Sequence, residues 1–269
     1  MGQTPLVSVI IPAFKAADTL PAALASIAGA GLPAGAVEAV VASDDGTSYE
    51  DTASHGLQLT FCDVGPVGTG AGPARNRAIH AATADVIAFL DADDTWGAGF
   101  LTALLPLARS QGAAFGQTIV FNSSRPVMQL PGTAQQRLSI ADVGRTGASY
   151  HPVLQRQLAG PFVNEPSQDV LHTLEVLSLV GGDAPLGDAA YHLHLRGDSA
   201  TAQDDFSRRL GSAYARYITL IEAGKTRIKP VHVAAAAGAF RQKAQQNDDY
   251  AASGTSLSFY EYMAVKSND

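Results

Sequence analysis

Three carboxylates crowd the end of one apolar run in the segment FLDADDTW, Phe89–Trp96. Asp91, Asp93 and Asp94 repel one another unless something positive sits among them, and an all-oxygen cluster suits hard cations such as Mg2+ and Mn2+. Those ions keep several waters and share ligands with substrate phosphates, so a metal carrying a diphosphate would offset the charge. The bland alternative is an acidic, solvated turn. Other segments offer polar side chains in suggestive places. Asp44-Asp45-Gly46 follows an apolar run and is also an ordinary turn sequence. Arg75 opens a helical stretch. His192, His194 and Arg196 alternate, so a strand would point them to one side, where a solvated strand face is the plainer reading. Gly68-Thr69-Gly70 is no dinucleotide loop, because Pro73 stands where the third glycine is needed, and no GxxxxGK[ST] occurs.

Elements that could position these residues are legible over the first hundred positions. LVSVIIPAF (Leu6–Phe14) is a β-branched run closed by Pro12 and reads as a strand buried on both faces. A helix follows, with Asp18 as cap, Pro21 in the first turn, and Leu20, Leu24 and Ile27 on one face. VEAVVAS (Val37–Ser43) and LQLTFCDV (57–64) read as strands, Ala74–Ala82 as a helix, and Val86–Leu90 as a fourth strand. Strand and helix alternating in this way imply crossovers, a mostly parallel sheet and an α/β fold. Ligands of such sheets bind beyond the carboxyl ends of the strands. Pro12-Ala13-Phe14, Asp44-Asp45 and Asp91–Asp94 all fall there, so three segments converge on one crevice.

Beyond Trp96 the pattern predicts a helix over 99–112, a strand over 113–123, and loops over the site from 125 to 165. A helix over 167–181, a strand over 189–196, a helix over 203–222 and a last helix near 231–246 follow.

With 269 residues, 46% hydrophobic and 16% charged, the chain reads as an ordinary globular protein with a large core. A net charge of -7 and the absence of a polybasic run argue against nucleic acid as a partner. Cys62 is the only cysteine and reads as packing, which suits a reducing, cytoplasmic compartment. The opening apolar run is too short to span a bilayer.

Two families place a DxD at such a strand end. Asp91-Ala92-Asp93-Asp94-Thr95 fits the DxDxT of haloacid dehalogenase-like phosphatases, with Asp91 as nucleophile, and GDAPLGD (Gly182–Asp188) resembles their late acidic motif. That family needs a lysine between the two, and none occurs from Thr95 to Gly182. The fuller resemblance is to inverting family 2 glycosyltransferases of the GT-A fold, over roughly residues 6 to 201. VSVIIPAF, SDDGTSYEDT and GTGAGPARNRAIHAATADVIAFLDADD follow the order and separations of that family's motifs, with Ala78 where glycine is usual.

The resemblance implies roles. Pro12, Ala13 and Phe14 would lie against a nucleotide base, Asp44 and Asp45 would contact base and ribose, and Arg75 would reach the phosphates. Asp91 and Asp93 form the DxD, and Asp93, with Asp94 as understudy, would bind the divalent metal, Mn2+ or Mg2+. NEPSQDVLHTLEVL resembles the segment bearing the general base, with Asp169 as that base and Gln168 replacing the family's Glu; Glu165 is its substitute. Tyr191–Thr201 resembles the closing Y-R-x-R-x-G-S-x-T stretch, so His192, His194 and Arg196 could touch donor phosphates, and His194 could complete the metal shell. Trp96 could stack on a sugar ring or simply pack.

The implied donor is a nucleotide-diphosphate sugar, most plausibly a UDP-sugar, and the implied acceptor a glycan or lipid-linked hydroxyl of a surface polysaccharide. The enzyme would be peripheral to the membrane at most, with its oligomeric state, a homo-oligomer included, left open. A nucleotide-sugar or glycan binder without turnover is the further alternative. The reading divides the chain into a GT-A domain over 1–201, with its nucleotide part at 6–96, and a C-terminal helical extension over 202–269 packed on it.

Overall fold

The computed structural model describes residues 4–33, 35–62, 65–132, 135–147, 149–196 and 205–266. The first half alternates as its patterning requires. Strand β1 (Val7–Ala13) leads to helix α1 (Leu20–Ala28), then β2 (Val37–Ser43), β3 (Gln58–Phe61), α2 (Ala71–Ala81) and β4 (Val86–Phe89). β1, β2 and β4 are buried almost throughout, which is why they read as unbroken apolar runs. α1 starts after Thr19, which makes no side-chain cap, rather than at Asp18. Cys62 packs half-buried against the core, as its apolar surroundings suggest.

The remaining elements are β5 (Thr95–Trp96), α3 (Phe100–Gln111), β6 (Ala113–Asn122), β7 (Arg125–Leu130), β8 (Arg137–Ser139), α4 (Ile140–Arg145), β9 (Val153–Gln155), α5 (Gln168–Leu179), β10 (Asp183–Leu195), α6 (Phe206–Glu222), α7 (Val233–Ser253) and α8 (Phe259–Lys266). The sheet runs β3-β2-β1-β4-β9-β6-β10-β5, with β7 beside β6 and β8 beside β10. β3, β2, β1 and β4 are mutually parallel. β9 then enters antiparallel between β4 and β6, so the sheet beyond β4 is mixed. The stretch 125–165 is therefore not loop alone. Its strands are short, and three residues such as Val153–Gln155 are too few to display a period.

The chain leaves β1 toward β2 on one side and toward β4 on the other, which opens a crevice beyond their carboxyl ends. Side chains alternate across β1, so Val9 and Ile11 join one core with Leu24, Trp96 and Leu104, while Ile10 joins the other. That second core also contains Leu174 of α5, Tyr214 and Tyr217 of α6, and Phe240 of α7. The C-terminal helices thus share a core with the sheet. The expected boundary at 201/202 lies outside the described residues, as do residues 197–201 of the closing motif. Among the described residues, no helix is long and apolar enough to cross a membrane.

Candidate active site

The ends of β1 and β2 are pinned to each other through Asp45. After Phe14 the chain turns at Lys15, which adopts φ 51° and so aims its N–H at Asp45 Oδ2, 2.5 Å away. Ser43 Oγ (3.0 Å), the N–H of Thr47 (2.9 Å) and Tyr49 Oη (2.9 Å) also donate to Asp45. Partial burial works against ionisation, but these donors prevail and hold the carboxyl down at about 2. Asp44, buried, accepts from the N–H and Oγ1 of Thr69 (3.0 and 2.5 Å) and from the N–H of Gly70 (2.7 Å). Asp44 and Asp45, the residues expected at a base and ribose, also shape the loops there. They hold two loops, because a carboxylate at a strand end lies among backbone N–H groups. What the turn leaves open is the Phe14 ring, 54% exposed, beside the buried Ala13 and half-buried Pro12.

Arg75 projects from α2 to the end of β4, where its guanidinium donates to Asp91 Oδ1. The arginine side chain is 2% exposed and the carboxylate 30% exposed, so one partner is inside and the other faces the crevice. His151, which precedes β9, stacks on Tyr191 of β10 (4.6 Å between centroids) and sets Nε2 3.9 Å from Asp91 Oδ2. Burial raises the Asp91 carboxyl, but Arg75 and His151 outweigh it and leave the group below its usual range. Burial keeps the His151 imidazole below its usual value, and the charge on Arg75 adds to that against the pull of Asp91 and Asp169. Nε and Nη1 of Arg75 are buried without a hydrogen-bond partner, so donors remain at the site. His151 carries no signal in the sequence: Tyr150-His151-Pro152 matches no motif, and only the stacking on a distant strand brings it here.

Asp169 stands in the first turn of α5, where its Oδ1 accepts from the N–H of Val170 at 2.9 Å. It lies within electrostatic reach of Arg75 and His151, so α5 joins the same group as the DxD. The segment before α5 is clamped to α2 by Asn76, which donates to Phe162 O and accepts from Phe162 N–H, both at 2.8 Å. A Cβ on Gly72 would stand 2.2 Å from Val163 O, so only glycine permits that approach. Gln168 is buried with Oε1 unpartnered, and Glu165 is instead paired with Arg216 at 2.6 Å.

The other carboxylates of the cluster diverge. Asp93 is half-buried at the crevice. Asp94 turns away: buried, it accepts from Tyr191 Oη (2.7 Å) and the N–H of His194 (2.8 Å), tying the loop to β10. Burial, then the charges of Asp93 and Asp91, push its carboxyl well above the usual range. Trp96 is 4% exposed and stacks on Phe100 at 4.5 Å, so it packs and presents no face to a sugar. His192 and His194 both lie against Phe121, and His194 Nε2 is bonded to Thr95 Oγ1 at 2.9 Å. Arg196, half-buried, follows the last residue of β10.

Among the described residues, no three His, Cys, Asp or Glu side chains group as a protein-only metal cage. A Mg2+ or Mn2+ ion that shares its shell with a diphosphate needs just one or two carboxylates. Asp93 and the exposed side of Asp91 meet that requirement; Asp94 and His194 are engaged elsewhere.

The acidic motif of the phosphatase reading falls at the wrong end of β10. Asp183 opens the strand and pairs with Arg137 at 2.7 Å, Asp188 is exposed, and it is Tyr191 that reaches Asp91. A surface cleft of about 700 Å3 is lined by Asp85, Arg109 and Gln155 at the amino end of β4, the opposite end from Asp91.

Residues 8–157 match the family model described as Glycosyl transferase family 2. No curated protein matches the chain. Among solved structures, S. aureus TarS 1-349 in complex with UDP-GlcNAc is 16% identical with a TM-score of 0.66, covering 93% of this chain and 76% of that one. The same protein with UDP is 17% identical with a TM-score of 0.60, covering 84% and 68%. Against a longer TarS structure the chain spans 41% of that chain. The mannosyltransferase PcManGT from Pyrobaculum calidifontis, in complex with GDP-Man and Mn2+, is 16% identical with a TM-score of 0.53, covering 99% and 80%.

Proposed function

The chain belongs to glycosyl transferase family 2 and has the GT-A fold, and from that premise we propose an inverting transfer of a sugar from a nucleoside diphosphate, UDP foremost, to a hydroxyl of a glycan or lipid-linked glycan. The observation that carries this reading is the meeting of Arg75 and His151 on Asp91 at the end of β4, with Asp169 at the head of α5 within electrostatic reach. The structural neighbours bind UDP, UDP-GlcNAc and GDP-Man, which supports a nucleotide-sugar donor. Phe14 offers a flat apolar face for the base, with Asp44 and Asp45 holding the loops around it. Asp93, aided by Asp91, would hold a divalent ion, which when bound supplies charge stabilisation to the leaving diphosphate. The unpartnered N–H groups of Arg75 would donate to the same phosphates.

In the transfer, the acceptor oxygen forms a bond to the anomeric carbon from the face opposite the leaving group. The bond from that carbon to the β-phosphate oxygen breaks, its electron pair stays with the diphosphate, and the hydroxyl proton passes to Asp169. Asp169 Oδ2 makes no hydrogen bond among the described residues, so a lone pair is available for that proton. A positioned base contributes ~10²–10⁴-fold. The test is nucleoside diphosphate release from a panel of nucleotide sugars. Asp169→Asn is expected to lower turnover by about that factor while leaving nucleotide affinity within twofold. Equal turnover in the variant would remove Asp169 from the role.

A further inference from the structure

The glycine-rich loop held by Asp44 forms one wall of a second, open groove of about 570 Å3. Asn164, Glu165 and Pro166, which lead into α5, form another, and the first half of α6 forms the third. In a chain of net charge -7, this groove is lined by Arg208, Arg209 and Arg216 against Glu165 alone. Glu165 neutralises Arg216 and no more. Arg208, its side chain 78% exposed, reaches Asp205 only at 3.4 Å, and the Arg209 guanidinium makes no hydrogen bond or ion pair among the described residues.

Arg208, Ser212 and Arg216 recur every four residues, so they ladder one helix face over about 12 Å, the length of more than one phosphate unit. Apolar lining is confined to Pro166 and Ala213, which suits a polar chain and not an acyl tail. On the far side of Pro166, α5 begins and Asp169 follows in its first turn.

We propose that this groove holds a phosphate of the acceptor, a phosphodiester-bearing polyol or glycan chain, and so presents a neighbouring hydroxyl to Asp169; this rests on the transferase reading above. The unpaired Arg209 guanidinium, and Arg208 with its long, exposed contact to Asp205, can give charge-assisted hydrogen bonds to phosphate oxygens. A phosphate here could instead be the donor's own, and the experiment separates the two.

The full chain, saturated with UDP and Mn2+, is titrated calorimetrically with a short synthetic glycerol phosphodiester oligomer. Binding is expected on top of UDP, weakened about tenfold or more in Arg208→Ala/Arg209→Ala, with UDP affinity unchanged within twofold. Both side chains are exposed, so the variant should melt with the wild type, which a thermal scan checks. Displacement of the oligomer by UDP would assign the groove to the donor and overturn the proposal, as would equal oligomer affinity in the variant or no binding to the wild type. Arginine-dependent binding to phosphatidylglycerol vesicles, with none to the oligomer, would also overturn it. Should the oligomer bind through the arginines while no nucleotide binds, the anion site stands and the transferase reading falls.

Discussion

Arg75 and Asp91 meet across the end of the sheet, the guanidinium buried at 2% exposure and the carboxylate open to the crevice at 30%. The pair fixes α2 against β4 and leaves Asp91 Oδ2 toward His151 and the crevice. A fully buried pair broken on one side costs about 3–5 kcal/mol, and the exposure of Asp91 lowers that to about 2–3 kcal/mol for Arg75→Met. Urea unfolding measures it. The double variant Arg75→Met/Asp91→Asn should recover more than about 1 kcal/mol of the summed losses, because neither charge is then stranded. Strict additivity would mean that the two side chains do not act as a pair.

Asp93 and Asp94 are adjacent in sequence and opposite in environment. Asp94→Ala deletes acceptors for Tyr191 Oη and the N–H of His194 and should cost roughly 2 kcal/mol of stability, while Asp94→Asn, which keeps one acceptor, should cost less than about 1 kcal/mol. Nucleotide binding should survive Asp94→Asn and lose its metal dependence in Asp93→Asn. The reverse outcome would exchange their roles.

Much of this site was legible in the sequence. β1 and β2 announce themselves because burial on both faces leaves them nothing but apolar residues, and the crevice then follows from strand order. The residues that escaped are those placed by distant contacts. β9 shows no period in three residues; His151 is recruited by Tyr191 from β10. The further role of Asp44 in holding Thr69 and Gly70 was hidden too, because their N–H groups turn toward it only in the folded loop. Trp96 follows the DxD as a sugar-stacking residue would, but the two-residue strand β5 turns it onto Phe100.

Phe14 exposes its ring where the proposed reading puts the nucleotide base. Stacking of a base on an aromatic side chain is worth about 1–3 kcal/mol, so Phe14→Ala should weaken UDP binding roughly 5- to 150-fold without changing stability. Unchanged affinity in a calorimetric titration would put the base elsewhere.

His172 of α5 gives the fold a pH dependence. Its ring stacks on Phe162 (4.1 Å) and meets Phe89 edge-on, with Nε2 unpartnered. Burial, then the charges of Arg227, Arg75 and His151, hold the imidazole well below its usual value. The unfolded chain titrates near 6.5, so at lower pH it takes up a proton that the folded state refuses, and stability drops between about pH 7 and pH 5. His151 acts with the same sign. His172→Phe keeps the aromatic packing and should flatten the fall in melting temperature over that range. An unaltered slope would assign the acid sensitivity to other groups.

Calorimetric titration of UDP, GDP, dTDP and CMP, each with Mn2+ and then with chelator, asks whether the aspartates of the DxD hold a metal that holds a diphosphate. Metal-dependent binding of one nucleoside diphosphate is expected, abolished by Asp93→Ala and retained in Asp169→Asn. Absence of nucleotide binding under either condition, or binding indifferent to both chelator and Asp93→Ala, would contradict it.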